Sequence, residues 1–318
     1  MIRVAVLLGG ASSERAVSLR SGAMVVRQLP RNAYRVTTYD TGKKAGLAKL
    51  VQDAQKGKID VVFNALHGTH GEDGDIQGLL EILGLPYTGS GVCASAIAMN
   101  KQLSKELFLS AGLPIIRGSL ISVQEFKKDP KGTLSRIKKS LGSDIVIKPN
   151  ASGSSVGLFV RPKQKDWEKA IKTALKEDGE GCLVERFISG RELTVPVLEY
   201  RGIPKALPVI EIRTVGGVFD YHAKYHDKNT QEICPAPISQ SVSRKAQSLA
   251  VRAHEALGCS GYSRTDIMMD EKDGLYILET NTLPGLTQAS LLPKSAAAIG
   301  MDYPALLSHL IREALYAS

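Results

Sequence analysis

The sequence predicts an α/β protein that begins with an open parallel sheet and continues with two α+β units. Strand-like and helix-like stretches alternate over the N-terminal third, as they do in open parallel sheets. Beyond that point, strands joined by short loops are mixed with helices, and one pair of strands forms a clear hairpin. At 318 residues the chain is also too long for one small core. We therefore expect three domains, at residues 1–98, 99–188 and 189–318.

The composition indicates a globular protein whose partners are small anions. The net charge is +9, yet lysine and arginine are scattered and only 5% of residues are aromatic, which is poor material for binding nucleic acid. A positive field instead helps to collect small anionic substrates such as a nucleotide. No stretch has the layout of a signal peptide or the length of a membrane span. The four cysteines lie far apart, so we expect a cytoplasmic protein without disulfides or a structural zinc site.

The first block predicts a parallel sheet whose binding edge carries two polar side chains. We expect strands at residues 3–8, 34–39, 59–66 and 86–88, and helices at 17–29, 47–55 and 76–83. Glu14 follows the first strand and His67 follows the third. Because ligands bind at the carboxyl ends of parallel strands, both side chains belong to the predicted binding edge.

Asp40 ends the second predicted strand and raises an alternative, a nicotinamide-dependent oxidoreductase, since a ribose-binding acid occupies such a position. Residues 9–14, however, read Gly-Gly-Ala-Ser-Ser-Glu and lack the G-x-G-x-x-G spacing. Without that spacing the backbone cannot cradle a pyrophosphate in the way of a dinucleotide site. The oxidoreductase is therefore the weaker alternative.

The second block predicts a loop that covers phosphate groups. Its strands are expected at residues 115–121, 144–148, 158–161 and 182–187, and its helices at 101–110 and 165–176. Residues 149–157, rich in glycine and serine, join two of these strands and follow Lys148. Such a loop offers backbone N–H groups and hydroxyls to phosphate oxygens, and the lysine adds a positive charge. In a Walker A loop the lysine follows the glycines and opens a helix, so this loop is predicted to be a flap instead.

The third block contains the hairpin, and the polar face of this hairpin predicts a metal site. Strands at residues 265–270 and 275–281 flank a turn with Asp273-Gly274 at its tip. Because side chains alternate between faces, a turn of two or four residues puts three side chains on one face: Asp266, Glu279 and Asn281. Only an odd-length turn or a bulge breaks this arrangement. Carboxylate and amide oxygens favour Mg²⁺, which usually keeps waters and takes phosphate ligands as well.

The remainder of the third block predicts strands near 206–212, helices at 243–257 and 303–316, and a loop at 219–230. His222 and His226 in that loop have the four-residue spacing of zinc ligands on a helix. The segment lacks a helical pattern and no third ligand is near in the sequence, so zinc is the weaker alternative here.

Motifs along almost the whole chain resemble the D-alanine–D-alanine ligases of the ATP-grasp superfamily. They read VLLGG at residues 6–10, SERAVS at 13–18, ALHG at 65–68, GEDG at 71–74 and GLPYTGSG at 84–91. Further along they read IKP at 147–149, GSSVG at 153–157, AKY at 223–225, RTD at 264–266 and LETNTLPG at 278–285. Each motif is weak by itself, but so many in the family's order make the resemblance specific.

The resemblance implies the ATP-grasp architecture, in which two α+β domains that follow an N-terminal α/β domain sandwich ATP. It implies ATP as a substrate and two Mg²⁺ ions, with Mn²⁺ as a possible substitute, held by Asp266, Glu279 and Asn281. The residues implied to contact the ATP phosphates are Lys101, Lys148 and Ser155. Those implied to hold the adenosine are Glu185, Phe187, Ile188 and Glu192. Arg186-Phe187 stands where relatives often carry Lys-Trp, a change that affects adenine contacts rather than the chemistry.

The activity that the resemblance implies is the joining of two D-alanines, through an acyl phosphate of the first, for peptidoglycan precursor synthesis. The implied catalytic residues are a hydrogen-bonded set, Glu14, Ser154 and Tyr225, and two oxyanion donors, Arg264 and the backbone N–H of Gly285. Further substrate contacts are implied for His67, Lys224, Ser290 and Leu291. Tyr225, where depsipeptide-forming relatives tend to differ, favours an amine over a hydroxyl acceptor. The resemblance also suggests a homodimer.

Two further alternatives stay open. One is another ATP-grasp ligase that joins a carboxylate to an amine, or one that joins D-alanine to D-lactate. The other is a catalytically inactive ATP-binding module. The shared nucleotide-binding residues fit all of these proteins, whereas the intact metal ligands and Arg264 count against the inactive module.

Overall fold

Three β-sheets with helices packed against them form the protein, for which a computed structural model describes residues 1–151, 157–179, 181–214 and 230–317. Strands and helices alternate in the N-terminal part, and antiparallel strands mix with helices afterwards. The predicted combination of an α/β unit with α+β units is thereby confirmed.

The first sheet is parallel, with the strand order β2-β1-β3. Its strands are β1 (Ile2–Leu8), β2 (Tyr34–Asp40) and β3 (Val61–Asn64). Its helices are α1 (Arg15–Gln28), α2 (Lys44–Gln55) and α3 (Asp75–Ile82). The central strand β1 is apolar because both of its faces are covered: Val4 and Val6 pack in one core, and Ala5 and Leu7 pack in another.

The predicted strand at residues 86–88 is wrong. Tyr87 makes a single parallel bridge to Val62, and the flanking residues continue no ladder with it. Pro86 has no N–H to donate, so this segment at the edge of the sheet cannot extend the bridge into a longer ladder on that side.

The second sheet is antiparallel, with the strand order β4-β7-β5-β6. Its strands are β4 (Gly118–Ser122), β5 (Ile145–Pro149), β6 (Phe159–Val160) and β7 (Gly181–Arg186). Its helices are α6 (Val123–Lys128), α7 (Pro130–Leu141) and α8 (Trp167–Asp178). Because side chains alternate along β5, Ile145 and Ile147 face the helices, while Val146 and Lys148 face a cleft.

The third sheet has six strands, and β8 and β12 pair at its centre. They are β8 (Gly190–Tyr200), β9 (Ile203–Ala206), β10 (Ile210–Arg213), β11 (Gln231–Ile233), β12 (Tyr262–Asp270) and β13 (Leu275–Asn281). Helix α9 (Gln240–Ala256) covers one face with a buried stripe that includes Val242, Ala246 and Ala250. Small residues at four-residue spacing let the helix lie close to the strands.

Four more helices complete the described chain: α4 (Val92–Met99), α5 (Lys101–Ser110), α10 (Leu291–Ala297) and α11 (Tyr303–Tyr316). The sequence analysis does not predict α4, because its small and apolar residues show little polar–apolar periodicity. Helix α11 matches its predicted range, and Asp302 caps it by accepting the N–H of Ala305. Within the described ranges, the helices all fall short of the length and apolarity that a bilayer crossing requires.

Candidate active site

A cleft of about 400 Å³ is lined by strands of the second and third sheets and by residues that follow strands of the first sheet. Every predicted site residue that the structure describes lines it: Glu14, His67, Lys101, Lys148, Glu185, Phe187, Ile188, Glu192, Arg264, Asp266, Glu279, Asn281, Gly285, Ser290 and Leu291. The other predicted site residues, Ser154, Ser155, Lys224 and Tyr225, lie outside the described residues, as do His222 and His226. The cleft therefore brings the described members of the predicted site together.

The hairpin that carries the metal-ligand set has an odd-length turn. Residues 271–273 separate Asp270 from Gly274, which are joined by a backbone hydrogen bond. Asp273 adopts a left-handed φ of 62°, as the last residue of such turns often does. With this turn alone, Asp266 and Glu279 would lie on opposite faces of the ribbon.

A bulge at Leu278 restores the predicted face. The bulge lies between the pairs Ile267–Ile277 and Asp266–Glu279, and it shifts the alternation of β13 by one residue. Ile277 stays in a core, whereas Glu279 and Asn281 face the cleft. The two features that the sequence analysis names as disruptive, an odd turn and a bulge, are both present and cancel each other.

Hydrogen bonds fix the carboxylate of Asp266 from several sides. Arg264 donates to both of its oxygens, from Nε at 2.9 Å and from Nη2 at 2.8 Å. Thr194 Oγ1 donates to Oδ1 at 2.5 Å, and Asn281 Nδ2 donates to Oδ2 at 3.1 Å. Burial alone would lower the pKa of Arg264, but Asp266 outweighs it and raises this pKa above its usual value. The guanidinium is therefore a fixed positive charge beside the ligand set.

The ligand set fits a hard divalent cation in its donor chemistry, because Asp266, Glu279 and Asn281 supply only oxygen ligands from one face. An ionised carboxylate has about four lone-pair directions, and hydrogen bonds occupy these on Asp266. Rotation of the Asn281 amide would exchange its N–H for its oxygen and free one lone pair of Asp266 Oδ2, which still accepts from Arg264. Both side chains then become available to a cation.

Two lysines of the cleft lie beside carboxylates. Lys101, the first residue of α5, places Nζ 3.7 Å from Glu279 Oε2. Lys148, on β5, places Nζ 2.7 Å from Glu185 Oε2. Burial alone would lower the pKa of Lys148, but the nearby carboxylates of Glu185 and Glu279 raise it above its usual value. Both walls therefore carry charge, and a polyphosphate with a cation would fit between them.

Sequence reasoning missed Lys105, which forms an ion pair with the other oxygen of Glu185. The available signal was its position four residues after Lys101, on the same face of a predicted helix. That spacing alone does not reveal Glu185 as its partner, because Glu185 belongs to a different sheet.

The far end of the cleft carries Glu14, His67 and Glu72. His67 Nε2 lies 3.2 Å from Ser21 Oγ, and burial lowers the pKa of His67 to about 4, so its imidazole is neutral near pH 7. Glu72 accepts the N–H of Gly68 at 3.1 Å. Burial, and next the repulsion from Glu14, raise the pKa of Glu72 to about 8. Sequence reasoning did not single out Glu72, although it stands in the GEDG motif.

Gly285 and Ser290 meet where the hairpin leads into α10. A Cβ on Gly285 would lie only 3.0 Å from Ser290 Oγ, so glycine allows this close approach. Ser290 Oγ accepts the N–H of Thr287 at 3.1 Å, which holds the hydroxyl at the cleft wall. The backbone of Gly285 and the hydroxyl of Ser290 thus offer adjacent polar groups.

Asp40, the residue behind the dinucleotide alternative, is engaged elsewhere. Arg15 donates to both oxygens of Asp40, at 2.8 and 2.7 Å. Gly9 approaches so closely that a Cβ there would lie 2.2 Å from Asp40 Oδ1. The carboxylate is part of a local ion pair and does not line the cleft.

A parallel sheet followed by two antiparallel sheets, with lysines and carboxylates lining a shared cleft, is the architecture of the ATP-grasp class of proteins. Family models described as "D-ala D-ala ligase N-terminus" and "D-ala D-ala ligase C-terminus" match residues 38–90 and 107–312. The chain belongs to the D-alanine–D-alanine ligase family.

Individual relatives extend over the full length. A D-alanine–D-alanine ligase of Syntrophobacter fumaroxidans is 45% identical over 99% of this chain and 98% of its own. One of Desulfotalea psychrophila is 44% identical over 98% of this chain and 94% of its own. The crystal structure of the Bacillus anthracis ligase complexed with ATP has a TM-score of 0.84 and 32% identity, and covers 100% of this chain and 98% of that one.

Proposed function

We propose that this chain is an ATP-dependent ligase that joins two D-alanine molecules into D-alanyl-D-alanine. The observation that carries the proposal is the charge arrangement of the cleft. Lysines lie beside carboxylates along its walls, and Glu14 with a neutral His67 stands at its far end. A polyphosphate and an amino acid therefore each have complementary groups in one space. The relatives named above support the identity of the amino acid.

The reaction needs ATP because a carboxylate is a poor electrophile. Transfer of the γ-phosphoryl group to the carboxylate of the first D-alanine releases ADP and gives an acyl phosphate. The amine of the second D-alanine then attacks the acyl carbon, and phosphate leaves. Phosphoryl transfer requires mainly positioning and charge neutralisation from the protein. Lys101 and Lys148 supply positive charge for the phosphates, and the adenosine is assigned to Glu185, Phe187, Ile188 and Glu192.

The magnesium site is assigned to Asp266, Glu279 and Asn281. Magnesium bound there neutralises phosphate charge and orients the transferring group. Arg264 and Lys101 flank these ligands, so they limit the repulsion between the ligand carboxylates before a cation arrives.

The first D-alanine binds at the far end, where Glu14 holds its ammonium and His67 contacts its carboxylate. Because His67 is neutral, it donates a hydrogen bond to the substrate carboxylate without competing with the ammonium for Glu14. The guanidinium of Arg264 and the N–H of Gly285 stabilise the oxyanion that forms during attack, and one such donor is typically worth ~3–4 kcal/mol. Ser290 and Leu291 are assigned to the second substrate's carboxylate. Ser154, Ser155, Lys224 and Tyr225 keep the roles that the resemblance implies.

Phosphate release tests the proposal directly. The protein is mixed with ATP, Mg²⁺ and one candidate at a time, D-alanine, L-alanine or D-lactate, and the product is identified by mass spectrometry. We expect D-alanine to stimulate phosphate release and to yield the dipeptide. Equal stimulation by L-alanine, or ATP hydrolysis without an amino acid at the same rate, would overturn the substrate assignment. Stimulation only by D-alanine together with D-lactate would indicate a depsipeptide ligase instead.

We also propose that the enzyme works as a cytoplasmic homodimer with domains at residues 1–98, 99–188 and 189–318. Size-exclusion chromatography with light scattering should give twice the mass of one chain. Limited proteolysis should cut first near the proposed domain boundaries. A monomer at micromolar concentration would contradict the dimer without affecting the assigned chemistry.

A further inference from the structure

Lys105 is a buried lysine for which the proposed reaction has no direct use. It lies on α5, one helical turn after Lys101, and only 3% of its surface is exposed. Its ammonium pairs with Glu185 and donates a hydrogen bond of 3.2 Å to the carbonyl of Ile116. Burying an ammonium is costly unless it is paired. The ion pair with Glu185 is therefore the interaction that can explain the role of Lys105.

Glu185 lies between two ammonium groups. One of its oxygens pairs with Lys105, and the other lies 2.7 Å from Lys148 Nζ. Burial alone would raise the pKa of Glu185, but the two lysines lower it below its usual value, so the carboxylate is ionised. The three groups therefore carry a net single positive charge. Of the two lysines, Lys148 lines the cleft, and Lys105 is not part of its lining.

We propose that Lys105 is a positioning residue for nucleotide binding: it neutralises and orients Glu185, so that the charge of Lys148 remains available to phosphate. This inference rests on the proposed function, since it requires phosphate groups at Lys148. Without Lys105, Glu185 would compensate the charge of Lys148 in full. A polyphosphate would then meet a neutral pair, and at buried sites such a change in charge is weakly screened.

The ion pair also joins the two walls of the cleft. Lys105 belongs to α5, whose Phe108 packs in one core with Ile277 of the third sheet. Glu185 belongs to β7 of the second sheet. Lys105 thus reaches from the side of the third sheet to set the charge of a residue on the second.

A double-mutant cycle separates this charge role from a packing role. Lys105→Met keeps most of the apolar stem and removes the charge, and Glu185→Gln removes the charge that Lys105 is proposed to neutralise. Isothermal titration with ATP and Mg²⁺, and separately with adenosine, is carried out on the wild type, both single variants and the double variant. Lys172→Met is the matched control, because Lys172 is an exposed lysine paired with Glu168 outside the cleft.

We expect Lys105→Met to weaken ATP binding by at least about tenfold and adenosine binding by a smaller factor, because adenosine carries no phosphate for Lys148. In the Glu185→Gln background the same change should weaken ATP binding by less than about threefold, because no carboxylate is left to compensate Lys148. A packing role predicts the same loss in both backgrounds. Lys172→Met should bind ATP like the wild type.

The outcomes separate this inference from the proposed function. A wild type that does not bind ATP overturns both. A wild type that binds ATP, with equal losses for Lys105→Met in the two backgrounds, overturns the inference alone. If Lys105→Met does not fold, the double variant decides: ATP affinity within about threefold of Glu185→Gln supports the inference, and a tenfold loss overturns it.

Discussion

At the scale of single residues, charged side chains of the cleft form buried ion pairs. Arg264 holds Asp266, and Lys148 holds Glu185, with little solvent around either pair. Removing one partner of a buried pair leaves the other charge uncompensated, which costs more than the pair itself contributes. Substitutions that remove a charge but keep the shape therefore give the clearest information about function here.

Glu279→Gln tests the proposed metal ligands in this way. The amide keeps the size of the side chain but removes its negative charge. That charge lies beside Lys101 and is the one that would bind the cation. We expect Mg²⁺-dependent turnover to fall by about 100-fold or more, since charge stabilisation by a bound metal is worth several kcal/mol. Steady-state kinetics over a range of Mg²⁺ concentrations, with urea denaturation as a check on folding, measure this effect.

Glu271→Gln is the matched control for that variant. Glu271 lies at the exposed tip of the same hairpin and outside the cleft, so it should retain wild-type turnover. Unchanged activity in Glu279→Gln would contradict the ligand assignment.

His67 predicts a particular dependence of stability on pH. Burial lowers its pKa to about 4 in the folded state, whereas it is about 6.5 in an unfolded chain. The unfolded state therefore binds the proton first, and this residue's contribution to stability, about 3 kcal/mol, is present above pH 6.5 and is lost as pH falls toward 4. His67→Gln should remove this component, so the difference in unfolding free energy between wild type and variant should shrink between pH 7 and pH 4. A constant difference across that range would refute the assignment.

At the scale of elements, local signals predict some boundaries well and others poorly. Helices α5 and α11 match their predicted ranges because each begins beside a polar capping residue, Asn100 or Asp302. Helix α4 is not predicted because its residues, apart from Ser95, are apolar and show no polar–apolar periodicity. The bulge at Leu278 has no sequence signal of its own, since it is decided by which residues the third sheet buries. The partners of Lys105 and Glu72 are equally invisible, because they depend on how separate elements meet.

Asn150 tests how the start of the loop at residues 149–157, which the sequence predicts to cover phosphate groups, is attached to α5. It is buried at the end of β5, accepts the N–H of Gln102 at 2.9 Å and donates to Asn100 Oδ1 at 3.0 Å. It therefore adds a second cap to α5, the helix that begins with Lys101. Asn150→Ala should lower the free energy of unfolding by about 2 kcal/mol and raise the KM for ATP more than that for D-alanine.

Urea denaturation and steady-state kinetics measure the two effects of Asn150→Ala. Asn32→Ala, at an exposed turn, should change neither the stability nor the KM by a comparable amount. If Asn150→Ala matched that control, the hydrogen bonds between Asn150 and the start of α5 would contribute little to stability or to ATP binding.

At the scale of the whole molecule, the first and third sheets share one hydrophobic core, whereas the second sheet packs around a core of its own. Val6 and Phe63 of the first sheet lie in one core with Leu198 and Tyr262 of the third. The core of the second sheet is built from residues between Ile121 and Val184. Its attachment to the rest includes polar contacts at the cleft, such as the pair between Glu185 and Lys105. Because apolar burial supplies most of the cohesion between units, the second sheet should open most easily.

Hydrogen exchange followed by mass spectrometry tests this uneven stability. Without nucleotide, amides of β5 and β7 should exchange faster than those of β1 and β12, because opening the second sheet breaks fewer apolar contacts. Mg²⁺ and ATP should slow exchange in β5 and β7 by up to about 100-fold at a ligand concentration of 100 Kd. The reason is that a nucleotide bound between the lysines and the hairpin would hold both walls of the cleft together. Adenosine at the same multiple of its own Kd should protect these strands less, because it lacks the phosphates that reach Lys101 and Lys148. Equal protection of all three sheets by ATP would instead mean that the molecule opens as one unit.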